Sequence, residues 1–362
     1  MSNTNIKIAI AVTGLVLAAI LVPTFERPPV VTDQGGFRGT SMGAVVNPRI
    51  RATTVAANQA PAAPEAADND GDRVSTLYQN VQLLGDLSNA QFLRIMQAMT
   101  EWVVPQEVRD AGNGCAYCHN IENMASDEVY TKVVSRRMLQ MVRTINNHPH
   151  VGQNGVTCYT CHRGRAVPAE VWSTLPMSRA GLQAPTGQNQ PSRAAAGASL
   201  ALDPFTPYLL QDRPIRAISR TSLPGYNDTS IQQTESTYSL MMHMSAGLGV
   251  NCTFCHNSRS FAEWAQSPPQ RTTAWHGIRM VRDVNMTYIE PLTPLWQANP
   301  NGPPESPRQV RLGAMGDALK VNCATCHRGV NRPLNGAPML QDYPELRTIR
   351  DGPARSAALA PQ

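Results

Sequence analysis

The chain has 362 residues and a formal charge of +5 at neutral pH. Its 29 prolines in 362 residues are about 8%, against an average near 5%, so the chain is loop-rich and a long coiled coil is excluded. The mild charge, with no Lys/Arg cluster and no aromatic–basic stripe, excludes a nucleic-acid partner as a working reading.

In chain order, the first element is an uncharged run from Ile8 to Phe25. As a helix it spans about 27 Å, enough for a bilayer core. Lys7 precedes it and favours an N-terminus on the cytoplasmic side. The length of the run and the lack of an A-x-A site favour a retained single-span anchor, residues 1–25, over a cleaved signal peptide. Leu21 to Glu26 holds no cysteine, which excludes a lipid anchor there. Residues 26–75 form a polar arm rich in Ala, Pro, Gly and Asn, which buries little by itself and is expected to lie over another part of the molecule. Helical spacing of apolar residues follows at Ala90–Val103, Val129–Ile145 and Ala274–Val284, and no convincing run of alternating strands appears. A low-complexity stretch covers Gly181 to Ser199, and residues 351–362 are expected to be a disordered tail.

All eight cysteines fall in four copies of one pattern: Cys115-x-x-Cys118-His119, Cys158-x-x-Cys161-His162, Cys252-x-x-Cys255-His256 and Cys323-x-x-Cys326-His327. C-x-x-C-H is the attachment site of a c-type haem. Two thioethers fix the macrocycle, and the adjacent histidine is held under the iron as its proximal ligand. A zinc ribbon does not require a histidine after every second cysteine. A thioredoxin-like motif occurs once, in a βαβ context absent here. Disulfide pairing leaves four histidines unexplained. The pattern therefore implies four covalently attached haem c groups, hence maturation on the periplasmic side of a bacterial inner membrane.

The order of the copies reveals a duplication. The first and third share Cys-x-aromatic-Cys-His-Asn, ending at Asn120 and Asn257; the second and fourth share Cys-x-Thr-Cys-His-Arg-Gly, ending at Gly164 and Gly329. Between the members of each pair lie Met141-Val-Arg-Thr-Ile-Asn146 and Met280-Val-Arg-Asp-Val-Asn285. The expected fold is mainly α: a loop-rich multihaem cytochrome over residues 76–350, with two pseudo-symmetric two-haem halves at about 76–180 and 225–345, a connecting segment at 181–224, and the N-terminal membrane segment.

Each electron-transfer iron needs a second axial ligand, Met or His. Only His148, His150, His243 and His276 are spare, so bis-His ligation throughout is strained and methionine is the expected partner for most irons. Met96 stands before the first motif, Met138 before the second and Met241 before the third, each on a helical stretch. Neighbouring Met99, Met141, Met242 and Met244 read as core filler. Aligning the duplicated helices places Gly277 where the first half has Met138. The fourth iron must therefore borrow a ligand, with His150, His276 and Met315 as candidates.

The run Met138–Asn146, the segment His150–Gly164 and Met280–Met286 resemble the tetrahaem cytochrome subunit of purple-bacterial photosynthetic reaction centres. So do Gly36–Gly43, Leu84–Leu87, Thr100–Trp102 and Asp342–Leu346, a similarity spanning about residues 35–346. The resemblance implies Met96, Met138 and Met241 as thioether ligands and His150 as the ligand that crosses to His327's haem. It implies an electron carrier, not an enzyme. Such a subunit re-reduces the photo-oxidised bacteriochlorophyll pair of the core subunits L, M and H. A soluble periplasmic cytochrome c or high-potential iron–sulfur protein supplies the electrons. Arg271 matches a family arginine near the third haem, where a buried cation favours the reduced state. Four haems add roughly −8 from their propionates to the chain's +5. The alternatives are a multihaem oxidoreductase, which needs an open iron position, and a membrane-anchored quinol dehydrogenase cytochrome, a class that is mostly bis-His. Mass spectrometry of the mature chain is expected to find the Ile8–Phe25 run still attached; a mature terminus beyond residue 25 contradicts the retained anchor.

Overall fold

The computed structural model describes residues 3–24, 29–33, 44–176, 191–217, 230–303 and 306–347. The Gly36–Gly43 motif and the 351–362 tail lie outside them, as does most of the Gly181–Ser199 stretch. The described chain is mainly helical, with two short antiparallel strand pairs, Val31–Asp33 with Ala44–Val46 and Val171–Trp172 with Lys320–Val321.

The N-terminal helix runs Asn3–Leu21, continues as a 3₁₀ turn to Thr24, and exposes every side chain. Its apolar residues have no protein surface to cover them, the condition of a helix whose solvent is lipid. The arm contributes a helix, Pro48–Ala57, entered by an Asn47 side chain that accepts from the Arg49 N–H, with proline at the first helical position. Asn58 closes it and is almost fully buried. It accepts a hydrogen bond from Arg163 (2.7 Å) and donates one to the Arg328 carbonyl (3.2 Å). The arm thus lies over the body and is fastened to the residues that follow the second and fourth motifs.

Four helices carry the rest. Asn89–Val103 starts at a capping box in which Ser88 accepts from the Gln91 N–H and the Gln91 side chain accepts from the Ser88 N–H. Tyr130–Asn146 and Gln270–Val284 are the duplicated pair. Ile231–Leu248 starts at Ser230 and ends at Gly249, whose left-handed backbone (φ +64) and contact with Gly329 leave no room for a Cβ. The short helix Cys158–His162 packs on Asn89–Val103, and Cys323–His327 packs on Ile231–Leu248. The two contacts share one hydrogen bond in equivalent places: Gly164 N–H to the Trp102 carbonyl at 2.8 Å, and Gly329 N–H to the Gly247 carbonyl at 2.7 Å.

Two segments outside these helices complete the cores. Met339, Leu340, Tyr343 and Leu346 pack among Val74, Ile95, Trp102 and Val142, with Tyr343 edge-on to Trp102 at 4.7 Å. Phe205, Tyr208 and Leu209 pack among Leu240, Ile278 and Val281. So part of the expected connecting segment is core, and the end of the second half's expected range packs on the first. Two buried asparagines hold these segments. Asn146 donates to the Val156 (3.0 Å) and Leu346 (3.0 Å) carbonyls and accepts from the Val156 N–H (2.7 Å). Asn285 donates to the Val321 (3.0 Å) and Leu209 (3.0 Å) carbonyls and accepts from the Val321 N–H (2.9 Å). Asn285→Ala takes the side-chain partner from the Val321 N–H and the Leu209 carbonyl, at about 1–3 kcal/mol each before relaxation, while the Val321 carbonyl keeps the Trp172 Nε1–H at 2.9 Å. A loss of about 3 kcal/mol is expected in denaturant unfolding of the detergent-solubilised protein; a loss below about 0.5 kcal/mol contradicts the clamp.

Candidate haem-binding sites

The second and fourth motifs are single helical turns, Cys158–His162 and Cys323–His327. Each is closed by its own threonine: the Thr157 N–H donates to Thr160 Oγ1 (3.0 Å) and the Asn322 N–H to Thr325 Oγ1 (2.9 Å). Each ends in an arginine forced into the left-handed region, Arg163 (φ 51) and Arg328 (φ 48). The turn after the helix throws the two arginines across to one another's motif. Arg163 donates to the Cys326 carbonyl at 3.3 Å, and Arg328 to the Cys161 carbonyl at 2.9 Å. Burial lowers both guanidinium pKa values, Arg163 to about 10.

All four motif histidines make one kind of contact. Nδ1 faces a backbone carbonyl: Met124 for His119 (3.3 Å), Arg165 for His162 (2.8 Å), Phe261 for His256 (2.9 Å) and Val330 for His327 (3.0 Å). A carbonyl only accepts, so Nδ1 carries the hydrogen and Nε2 keeps its lone pair. Burial pushes all four imidazoles below their ordinary pKa, His327 to about 4, so the lone pairs stay unprotonated at neutral pH. His150 makes the same contact, Nδ1 to the Thr273 carbonyl at 2.8 Å, and burial lowers its pKa too.

Burial raises the thiols: Cys158 and Cys323 to about 12, Cys255 to about 11, and Cys118 upward. Thiolates are what zinc takes, and these sites disfavour them. Among the described residues, no group of three His, Cys, Asp or Glu side chains is placed to hold a bare metal ion.

One cavity of about 680 Å³ runs through the molecule and touches all four motifs. Cys118 meets it from the first, Cys158 and His162 from the second, Cys255 from the third, and Cys323 and His327 from the fourth. Met138 and His150 line it; Met96, Met241, His119 and His256 do not. Met96 packs instead at the edge of the Ile95–Trp102 core, and Met241 at the edge of the Leu240–Ile278 core.

His150 and His327 face each other with ring centroids 6.1 Å apart. Two imidazoles on opposite sides of one metal, each bonded at about 2 Å, place their ring centres about 6 Å apart. Gly277 makes the approach possible. A Cβ there would lie 2.7 Å from His150 Cε1 and 2.8 Å from Nδ1. Neither other candidate for the fourth site lines the cavity: Met315 is 59% exposed, and His276, next to Gly277, pairs with His148 at the same 6.1 Å and packs on Trp275 (4.9 Å).

Cys161 and Cys326, each expected as a haem thiol, stand side by side and are joined as a disulfide here, with Cα atoms 4.5 Å apart. The physical reason is proximity: the second and fourth motifs meet where these two sulfurs stand. A sulfur in a disulfide makes no thioether, so haem attachment at either residue requires the reduced pair. Arg271 is no plain surface arginine. It donates to the Glu263 carbonyl (3.1 Å) and Ser267 Oγ (2.8 Å), lies over the Trp264 ring (4.3 Å), and so braces the loop whose Phe261 carbonyl orients His256.

Sequence reasoning missed three features. The reciprocal Arg163 and Arg328 contacts were signalled by the Arg-Gly that follows both motifs. Nothing in the sequence signalled Tyr117, which is buried and receives a hydrogen bond from Arg311 at 2.8 Å. Nor did it signal His243, buried edge-on to Phe205 at 4.6 Å and held by burial at a pKa of about 4.

Neutral, carbonyl-oriented imidazoles beside paired thiols in an apolar cavity define a c-type cytochrome. The model of the photosynthetic reaction centre cytochrome c subunit family matches residues 26–347, and the chain belongs to that family. It is 47% identical to the photosynthetic reaction center cytochrome c subunit of Rubrivivax gelatinosus over 354 residues, 96% of this chain and 91% of that protein. It is 48% identical to that of Thermochromatium tepidum over 336 residues, 92% of this chain and 79% of the relative. With the Roseobacter denitrificans subunit the identity is 37%, covering 94% and 92%. The chain is therefore a membrane-associated electron carrier that binds haem c covalently and associates with a reaction-centre core.

Proposed function

We propose that this chain carries four haems and re-reduces the photo-oxidised bacteriochlorophyll pair of a reaction centre. It faces the periplasm, is held by a span at Asn3–Leu21, and draws electrons from a soluble cytochrome c or high-potential iron–sulfur protein. The haem irons, when bound, supply the one-electron couple, with potentials raised by Met/His and lowered by bis-His ligation.

The chain's own contribution is placement. Cys115 and Cys118, Cys158 and Cys161, Cys252 and Cys255, and Cys323 and Cys326 hold the four macrocycles. His119, His162, His256 and His327 present Nε2 because a backbone carbonyl occupies each Nδ1. Met96, Met138 and Met241 complete three sites from the helices that precede their motifs. His150 completes the fourth from the opposite half. The matched Gly164 and Gly329 bonds and the matched Asn146 and Asn285 clamps support the two-half architecture. The largely apolar wall of the cavity sets solvent access and dielectric around the sites, and through them the potentials.

The observation that carries this reading is the His150–His327 pair, seated where Gly277 replaces the side chain of the duplicated helix. It leaves the fourth site no open position, which disfavours the multihaem oxidoreductase. A redox titration followed in the haem absorption band tests it. Three high midpoints and one distinctly lower one are expected. His150→Met is expected to raise the low midpoint and remove the bis-His spectroscopic signature. A low midpoint and signature that survive the substitution contradict the assignment. Carbon monoxide binding to the ferrous protein would revive the oxidoreductase.

A further inference from the structure

Two buried cations of this chain are treated in opposite ways. Lys320 is fully buried and saturated with charge: Glu290 lies at 2.6 Å, Asp317 at 2.5 Å, and the Trp172 ring at 5.2 Å. Arg311 is 6% exposed and stands in the wall of the cavity, yet among the described residues no carboxylate forms an ion pair with it. One of its terminal nitrogens donates to Tyr117 Oη at 2.8 Å and Gln309 Oε1 at 3.1 Å. The guanidinium lies over the Trp296 ring at 5.1 Å. Its Nε has no acceptor. The hydroxyl of Tyr130, whose ring stands edge-on to the same Trp296 at 6.0 Å, is also buried and without a partner.

A guanidinium stays charged in proteins, and a buried charge left unpaired is strongly unfavourable. The missing element at Arg311 is therefore an anion, and the Nε–H, which has no acceptor, is the donor left free to take one carboxylate oxygen. Among the described residues none is supplied. The cavity is where haem belongs on the reading above, and every haem brings two carboxylates. Tyr117 fixes the address, because it stands between Cys115 and Cys118 of the first motif. Arg311 itself comes from the stretch before the fourth motif and reaches across.

We propose that Arg311 receives a haem propionate in the cavity wall beside the first motif, with the Tyr130 hydroxyl, buried behind that wall, as a second donor. The inference rests on the haem-binding reading of that cavity. Paired in this way, Arg311 offsets the negative charge nearest one iron and favours its reduced form. Removing the cation favours the oxidised form of that haem and leaves the distant ones alone.

The test uses the intact holoprotein, with covalent haem counted by its pyridine adduct and each midpoint read by potentiometric titration. Arg311→Gln is expected to keep the full haem content and lower one midpoint. Arg311→Lys, which restores the charge, is expected to recover most of that shift. Tyr130→Phe removes one oxygen to which no described residue hydrogen-bonds, and is expected to move the same midpoint by less. Unchanged midpoints in Arg311→Gln at full haem content overturn the inference, as does a lysine variant indistinguishable from the glutamine one. If Arg311→Gln does not accumulate, an unshifted midpoint in Tyr130→Phe overturns it. Wild-type protein without covalent haem would instead overturn the reading beneath it.

Discussion

His150 belongs by sequence to the stretch before the second motif, and by position to the fourth. Its imidazole stands 6.1 Å from that of His327, in the space that a side chain at Gly277 would fill. The Thr273 carbonyl, one turn earlier on the Gly277 helix, takes its Nδ1 hydrogen and leaves Nε2 with the lone pair. A single missing side chain thus lets His150 approach His327 from a distant part of the chain. On the proposed reading the two halves share an iron, and neither can move without disturbing a ligand.

Everything around this crossing reinforces it. Asn58 of the arm bonds both Arg163 and the Arg328 carbonyl, and each arginine bonds the motif of the other half. The C-terminal segment at Tyr343–Leu346 returns to the first core, where Arg143 donates to the Glu345 carbonyl and Asn146 to that of Leu346. These contacts place charged and amide side chains on backbone carbonyls, beside an apolar cluster in which Met141 and Ile145 pack with Val284, Ile289 and Ala318. Such bonds have strict direction and fix angle as well as distance. That suits a scaffold whose task is to hold several cofactors at set spacings.

Much of this was legible in the sequence. The apolar spacing of Phe92, Ile95, Met96, Met99 and Trp102 gave a helix over Ala90–Val103, and the observed one is Asn89–Val103. Val129–Ile145 became Tyr130–Asn146, and Ala274–Val284 gained one turn to start at Gln270. Periodicity finds such helices because one face of each is buried. The missing Met138 equivalent at Gly277 pointed to a borrowed ligand, and the structure has an imidazole at that spot. What stayed hidden depends on distant partners. Phe205–Leu210 looked like linker because its burial is set by Leu240 and Asn285, far along the chain. The Arg311–Tyr117 contact joins residues 194 positions apart and leaves no local pattern. The proximity of Cys161 and Cys326 is likewise a tertiary fact, invisible to motif spacing.

The central claim is that the Gly277 gap exists to admit His150 to the iron held by His327. Electron paramagnetic resonance of the oxidised holoprotein tests it most directly, comparing wild type with Gly277→Ala. The added Cβ would lie 2.7 Å from His150 Cε1, so the imidazole must shift. The account predicts one bis-His low-spin centre in the wild type that is lost or altered in Gly277→Ala, with the other three centres unchanged. A bis-His signal that is absent from the wild type, or that persists unaltered in the alanine variant, would contradict it.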